Sequence, residues 1–173
     1  VFGNHDQKRS ISRIGNNPQK AKLLALFQLT ARGVPVLYMG EEIGMTNGNI
    51  PLKQAKDPLA KRLQWLPQWV VNRLPVALNR DICRTPMQWN GTANGGFSHA
   101  TPWLPVNPDY PKINVAVQQT NAASLLQTYT SLLHLRQQLP ALQQGDIALL
   151  PQMPRNVLAY ERQLNGQNVV VYM

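Results

Sequence analysis

The first 39 residues run in the order apolar segment, helix-length segment, apolar segment, and this order constrains the fold more than any other feature of the chain. Val1-Phe2-Gly3 reads as the end of a short buried strand. A helix is predicted from Pro18 or Gln19 to Arg32, with Leu23, Leu24, Phe27 and Ala31 at helical spacing on one face. Pro18 suits a first-turn position, Gly33 suits a C-terminal cap, and Pro35 prevents continuation. Val34 to Met39, bounded by Gly33 and Gly40, then reads as a second strand. Strand, helix, strand implies a right-handed crossover between parallel neighbours.

From Ile43 to about Thr120 the pattern breaks. This stretch is rich in Pro, Asn and Gly and holds Trp65, Trp69, Trp89 and Trp103, the four Trp of the chain. So long an irregular span in a compact domain points to functional loops, and a short helix is predicted within Lys53 to Arg73. Regularity returns at Ser124, where Leu125, Leu126, Tyr129, Leu132, Leu133 and Arg136 keep 3.6-residue spacing until Pro140. After Gly145, segments 147–150, 157–164 and 167–173 read as strands. The last two flank Asn165-Gly166, a two-residue hairpin signal because both residues accept positive φ. A domain boundary is expected near 140 to 146.

Parallel strands with functional loops at their C-terminal ends fit a (β/α)8 barrel, which needs about 200 residues or more, so only its last quarter fits here. The fold class expected is therefore α/β: over 1–142 the end of a TIM barrel, with a long loop after its last strand, and over 143–173 the start of an antiparallel β-sandwich domain. The opening without Met and the ending in Val169-Val170-Val171-Tyr172-Met173 read as the edges of a fragment.

With 43% apolar and 14% charged residues the chain reads as globular. Net charge +9 raises the question of a nucleic-acid or anionic-membrane partner. The bases are scattered, however: Lys20 and Lys22 on the helix, Lys53, Lys56, Lys61, Arg62 and Arg73 in the loop, Arg136, Arg155 and Arg162 near the end. No nucleic-acid partner is expected, and no apolar run approaches the roughly 20 residues that cross a bilayer. Cys83 is the single cysteine, and His5, His99 and His134 lack metal-ligand spacing. No metal or other cofactor is expected within these residues.

Asn4-His5-Asp6 follows the first strand, where a barrel enzyme places its reacting groups. The structural alternative is a plain turn, since Asn and Asp favour turns. Glu41-Glu42 is a tempting carboxylate pair, because glycoside hydrolysis uses two acids about 5 to 10 Å apart. Adjacent residues in extended chain point opposite ways, so one is expected to anchor the loop and the other to meet solvent. Arg80, Asp81 and Arg84 either fix a carboxylate or stabilise their own loop. Trp89, Phe97 and Trp103 either stack on a sugar or pack the loop, with packing favoured for Trp89 and Trp103.

Arg80-Asp-x-x-Arg84-Thr-Pro-Met-Gln-Trp89, followed by Gly96-Phe97-Ser98 and Thr101-Pro102-Trp103-Leu104-Pro105-Val106-Asn107-Pro108-Asp109-Tyr110, resembles the α-glucosidases of the α-amylase family. The likeness is to the maltase and oligo-1,6-glucosidase branches (glycoside hydrolase family 13), from the seventh barrel strand onward. It implies a retaining mechanism on short α-glucosides. Asp6 would hold the 2- and 3-hydroxyls of the glucose and stabilise the transition state, with His5 assisting, Arg80 closing the subsite and Arg84 a second choice. The nucleophile and acid/base are implied on the fourth and fifth strands, outside this chain, as is any calcium site.

Three alternatives stay open. A transglycosylating relative, such as a trehalose synthase or sucrose isomerase, shares the Arg-Thr-Pro-x-Gln-Trp segment. A non-catalytic glucosidase-like scaffold, such as an amino-acid transporter heavy chain, has no sugar to bind, which Asn4-His5-Asp6 and Arg80-Asp-x-x-Arg84 oppose. A basic binding module ranks last. Pro51 to Leu78 matches no pattern of the family and borders the region that sets linkage preference.

Overall fold

A computed structural model describes residues 2–74 and 77–173. In chain order it contains helices α1 (Ser10–Arg13), α2 (Pro18–Thr30), α3 (Pro58–Arg62), α4 (Gln68–Arg73), α5 (Val115–Gln119), α6 (Leu125–Gln138) and α7 (Pro140–Gln144). Strands β1 (Asp146–Leu149), β2 (Ala159–Leu164) and β3 (Gln167–Tyr172) follow. Three 3-10 turns, Leu52–Gln54, Arg80–Cys83 and Ala93–Gly96, punctuate the long loop.

The α2 N-terminus is set by Asn17, whose side chain accepts from the Gln19 and Lys20 amides, with Pro18 next. The helix stops at Thr30, two residues before the predicted end. Its buried face is Ala21, Ala25 and Leu29, packed with Ile11 of α1 and with Leu125 and Tyr129 of α6. Leu23, placed on the core face by its spacing, is 49% exposed. Apolar residues occur around the whole of α2, so periodicity alone selects no face. The small side chains of Ala21 and Ala25 admit α6 closely, and that contact decides. Each fully buried leucine here, such as Leu29, contributes about 1.5–3 kcal/mol relative to exposure.

Ser124 caps α6 through its hydroxyl, which accepts from the Gln127 amide. Pro140 ends α6 but also begins α7, a helix that the sequence reading missed although Pro is favoured at a first helical position. The hairpin forms as expected: β2 and β3 pair antiparallel from Leu164↔Gln167 to Ala159↔Tyr172, and Asn165 and Gly166 have φ of 47° and 84°. With β1 they form one sheet of order β1-β2-β3. The second sheet of a sandwich is not among the described residues.

The expected parallel pair is corrected. Of the strand expected at Val1 to Gly3, Val1 lies outside the described residues, and neither 2–3 nor 34–39 forms a strand, although the two segments lie side by side: a Cβ on Gly3 would come 3.2 Å from Cβ of Tyr38. Side chains instead take four of the backbone groups in these segments. Arg13 donates to the Phe2 carbonyl, Gln28 to that of Val36 and Arg9 to that of Met39, while the Tyr38 amide donates to Glu41. The long loop is ordered by its own core of Leu52, Ala55, Ala60 and Val71. A second cluster, Ile43, Met45 and Met87, ties it to Leu126 of α6.

Candidate active site

The turn carrying His5 and Asp6 is closed by the Asp6 amide, which donates to the Asn4 side chain at 2.8 Å. Asn4 is therefore the turn former, and both following side chains project outward, His5 67% and Asp6 49% exposed. The loop opposite starts at Asn79, whose side chain accepts from the Asp81 amide and donates to the Ile50 carbonyl. That cap fixes the 3-10 turn Arg80–Cys83. One turn later comes Arg84, so both arginines reach the same carboxylate.

Arg84 Nη2 lies 2.9 Å and Arg80 Nη1 3.2 Å from Oδ1 of Asp6. Arg84 Nε also donates to the His5 carbonyl at 2.8 Å, and the buried Cys83 thiol leans on that carbonyl at 3.4 Å. Nε2 of His5 stands 3.4 Å from Oδ2 of Asp6, beyond a short hydrogen bond. The structure thus brings together all four residues singled out in the sequence, His5, Asp6, Arg80 and Arg84, although 74 residues separate Asp6 from Arg80. Arg84, the second choice, makes the shorter contact with Asp6.

Asp57 is the residue that sequence reasoning missed. Its carboxylate accepts from Arg80 Nε at 2.8 Å, Arg80 Nη2 at 2.7 Å and the Arg80 amide at 2.9 Å. Charged hydrogen bonds from Arg80 hold its pKa far below the usual carboxylate range, against the opposing effect of burial. Its side chain also caps α3, inside the 53–73 stretch where a short helix was expected. The ion pair spans 23 residues and leaves no local signal.

Glu41 and Glu42 are not arranged as a reacting pair. Glu41 is buried and accepts from the Tyr38 amide at 3.2 Å; Glu42 is half-buried rather than free in solvent. Burial raises the pKa of both. Phe97 and Trp89 are about half exposed, and Trp103 is 77% exposed, with Lys56 Nζ 5.3 Å above its ring. The packing expected of Trp103 is thus not found. Gln88 packs the loop instead, donating to Asp109 and to the Ile113 carbonyl. Among the described residues no three His, Cys, Asp or Glu side chains gather to hold a metal. No helix among them is long and apolar enough to cross a membrane.

The profile of the alpha amylase catalytic domain matches residues 1–145. The chain belongs to the alpha-amylase family. Within it, the chain is 38% identical to an oligo-1,6-glucosidase of Halalkalibacterium halodurans, over 98% of its own length and 32% of the relative's. It is equally 38% identical to a glucan 1,6-alpha-glucosidase of Streptococcus dysgalactiae subsp. equisimilis, over 98% of the chain and 34% of that relative. Among solved structures, the trehalulose synthase MutB from Pseudomonas mesoacidophila MX-45 superposes with a TM-score of 0.84 at 35% identity, over 98% of this chain and 33% of that one. The chain thus spans about a third of the length of the relatives it matches.

Proposed function

We propose that this chain is part of a retaining α-glucosidase that removes terminal α-linked glucose from short α-glucosides, and supplies about a third of its length. The observation that carries the reading is the half-exposed Asp6 carboxylate, held on Oδ1 by two guanidinium groups, with Oδ2 taken by neither arginine and 3.4 Å from His5 Nε2. Asp6 grips two neighbouring ring hydroxyls, and His5 donates to the same ring. Its grip strengthens as positive charge develops in the oxocarbenium-like transition state, so it acts on the rate rather than on affinity alone. Arg80 and Arg84 keep the carboxylate aimed. The nucleophile and the acid/base come from the fourth and fifth strands of the barrel, to which residues 1–142 contribute the end; residues 143–173 begin the following β domain.

The likeness to oligo-1,6-glucosidases and α-glucosidases supports hydrolysis. The likeness to trehalulose synthase supports a second reading, in which the glucosyl group is passed to the other sugar instead of to water. Product analysis on the full-length protein separates them. Hydrolysis of maltose or isomaltose releases free glucose; conversion of sucrose into an isomeric disaccharide without free glucose favours the second. The 173-residue chain alone, lacking the two reacting acids, is expected to show no turnover. Turnover above a blank preparation would overturn this division of the active site.

A further inference from the structure

Asp57 lies in the stretch for which the family likeness offers no pattern, yet it is the most tightly engaged carboxylate around the candidate site. It is 2% exposed and receives three hydrogen bonds from Arg80. It is itself fixed from behind. The Lys56 and Asp57 amides donate to Oδ2 of Asp81 at 2.6 and 3.0 Å, and the Leu59 amide donates to Oδ1 of Asp57 at 3.1 Å. Asp81 in turn is buried, with its amide on Asn79. The guanidinium fork of Arg80 is thereby divided: Nε and Nη2 are committed to Asp57, and Nη1 alone is left for Asp6.

We infer that Asp57 is a positioning residue for the glucose subsite, holding Arg80 so that a single N–H reaches Oδ1 of Asp6 and neither arginine takes the second Asp6 oxygen, which faces His5 and the sugar. The inference rests on the α-glucosidase reading and deepens it. A bidentate Arg–carboxylate pair is both strong and planar. Without Asp57, the fork of Arg80 has Asp6 as its remaining carboxylate partner and turns onto both of its oxygens. That removes the oxygen the substrate needs. A loop that merely needed an α3 cap would not require three contacts to one arginine.

The test is a double-mutant cycle in the full-length protein with maltose and isomaltose, using Asp57→Asn, Arg80→Gln and the pair. Asp57→Asn lowers kcat/KM by about 10- to 100-fold through both a lower kcat and a higher KM, because the blocked oxygen serves the bound sugar and, more strongly, the transition state. The double variant is no slower than Arg80→Gln, because Asp57 acts only through Arg80. Arg80→Gln in the Asp57→Asn background recovers activity if the misdirected fork is the cause of the loss. Thermal unfolding of each variant identifies a general folding defect. Additive losses, or a loss tracking the fall in Tm alone, would overturn the positioning role. A wild-type protein without α-glucoside turnover would instead overturn the functional reading, and this role with it.

Discussion

Arg80 and Arg162 bring the same guanidinium into two surroundings. Arg80 meets carboxylates, Asp57 behind it and Asp6 in front. Arg162 is fully buried and donates to carbonyls, those of Thr30, Leu142, Gly145 and Asp146. Hydrogen bonding to Asp57 raises the pKa of Arg80, whereas burial, outweighing the distant Asp146 charge, lowers that of Arg162. Arg162 has spent its donors on the orphan carbonyls at the ends of α2 and α7, where a cation also suits the helix dipole. Arg136 does the same for Leu29 and Gly33. The one arrangement closes off its polar groups and ties the hairpin to the helices; the other leaves a carboxylate facing outward. A saturated charge holds a fold together, and an incompletely saturated one is available to a ligand.

That contrast is sharpest at Asp6. Asp6→Asn in the full-length protein is expected to lower kcat on α-glucosides by about 10²–10³-fold, roughly 3–4 kcal/mol of transition-state stabilisation, with unchanged Tm. Steady-state kinetics would break the comparison by showing a wild-type rate. At the other pole, Arg162→Leu strands four carbonyls and is expected to cost the 173-residue chain about 3 kcal/mol, read by urea unfolding. A loss below about 1 kcal/mol would mean that water replaces the guanidinium and that the tie is dispensable. Tyr160→Phe removes a hydroxyl 2.6 Å from the Thr30 hydroxyl, which retains the Leu26 carbonyl. About 1 kcal/mol is expected by the same measurement.

The smallest effect is in acid. Asp57 has a folded pKa well below its unfolded value of about 3.9. The folded state therefore binds fewer protons, so this contribution is complete above about pH 4 and is lost as pH falls toward the folded value. Glu41 and Glu42, raised by burial, have the opposite sign and weaken the fold as pH climbs through their range. Urea midpoints at pH 5 and pH 3 should fall less in Asp57→Asn than in the unsubstituted chain. Equal falls would show that the buried pair carries no charge coupling.

What was legible in the chain followed how local each signal is. Asn17-Pro18, Ser124 and Asn165-Gly166 declare their caps and turn within a few residues, and α2, α6 and the hairpin appear where expected. The core face of α2 was not legible, because its burial is decided by α6, a hundred residues on. The strands expected at 1–3, of which Val1 lies outside the described residues, and at 34–39 failed for a related reason: strand character depends on partners, and here Arg9, Arg13, Gln28 and Glu41 take several of the backbone groups. His5, Asp6, Arg80 and Arg84 were found through a spaced motif rather than through any local propensity. Asp57 stood outside that motif, and its role exists only once the loop has folded back on Arg80.

The most direct measurement is a crystal structure of the full-length protein with glucose bound. The account predicts two adjacent ring hydroxyls on the Asp6 carboxylate, with Oδ2 engaged, His5 on the same ring, and Arg80 and Arg84 still on Oδ1. A glucose seated with Asp6 outside hydrogen-bonding distance, or with both Asp6 oxygens taken by the arginines, would contradict it.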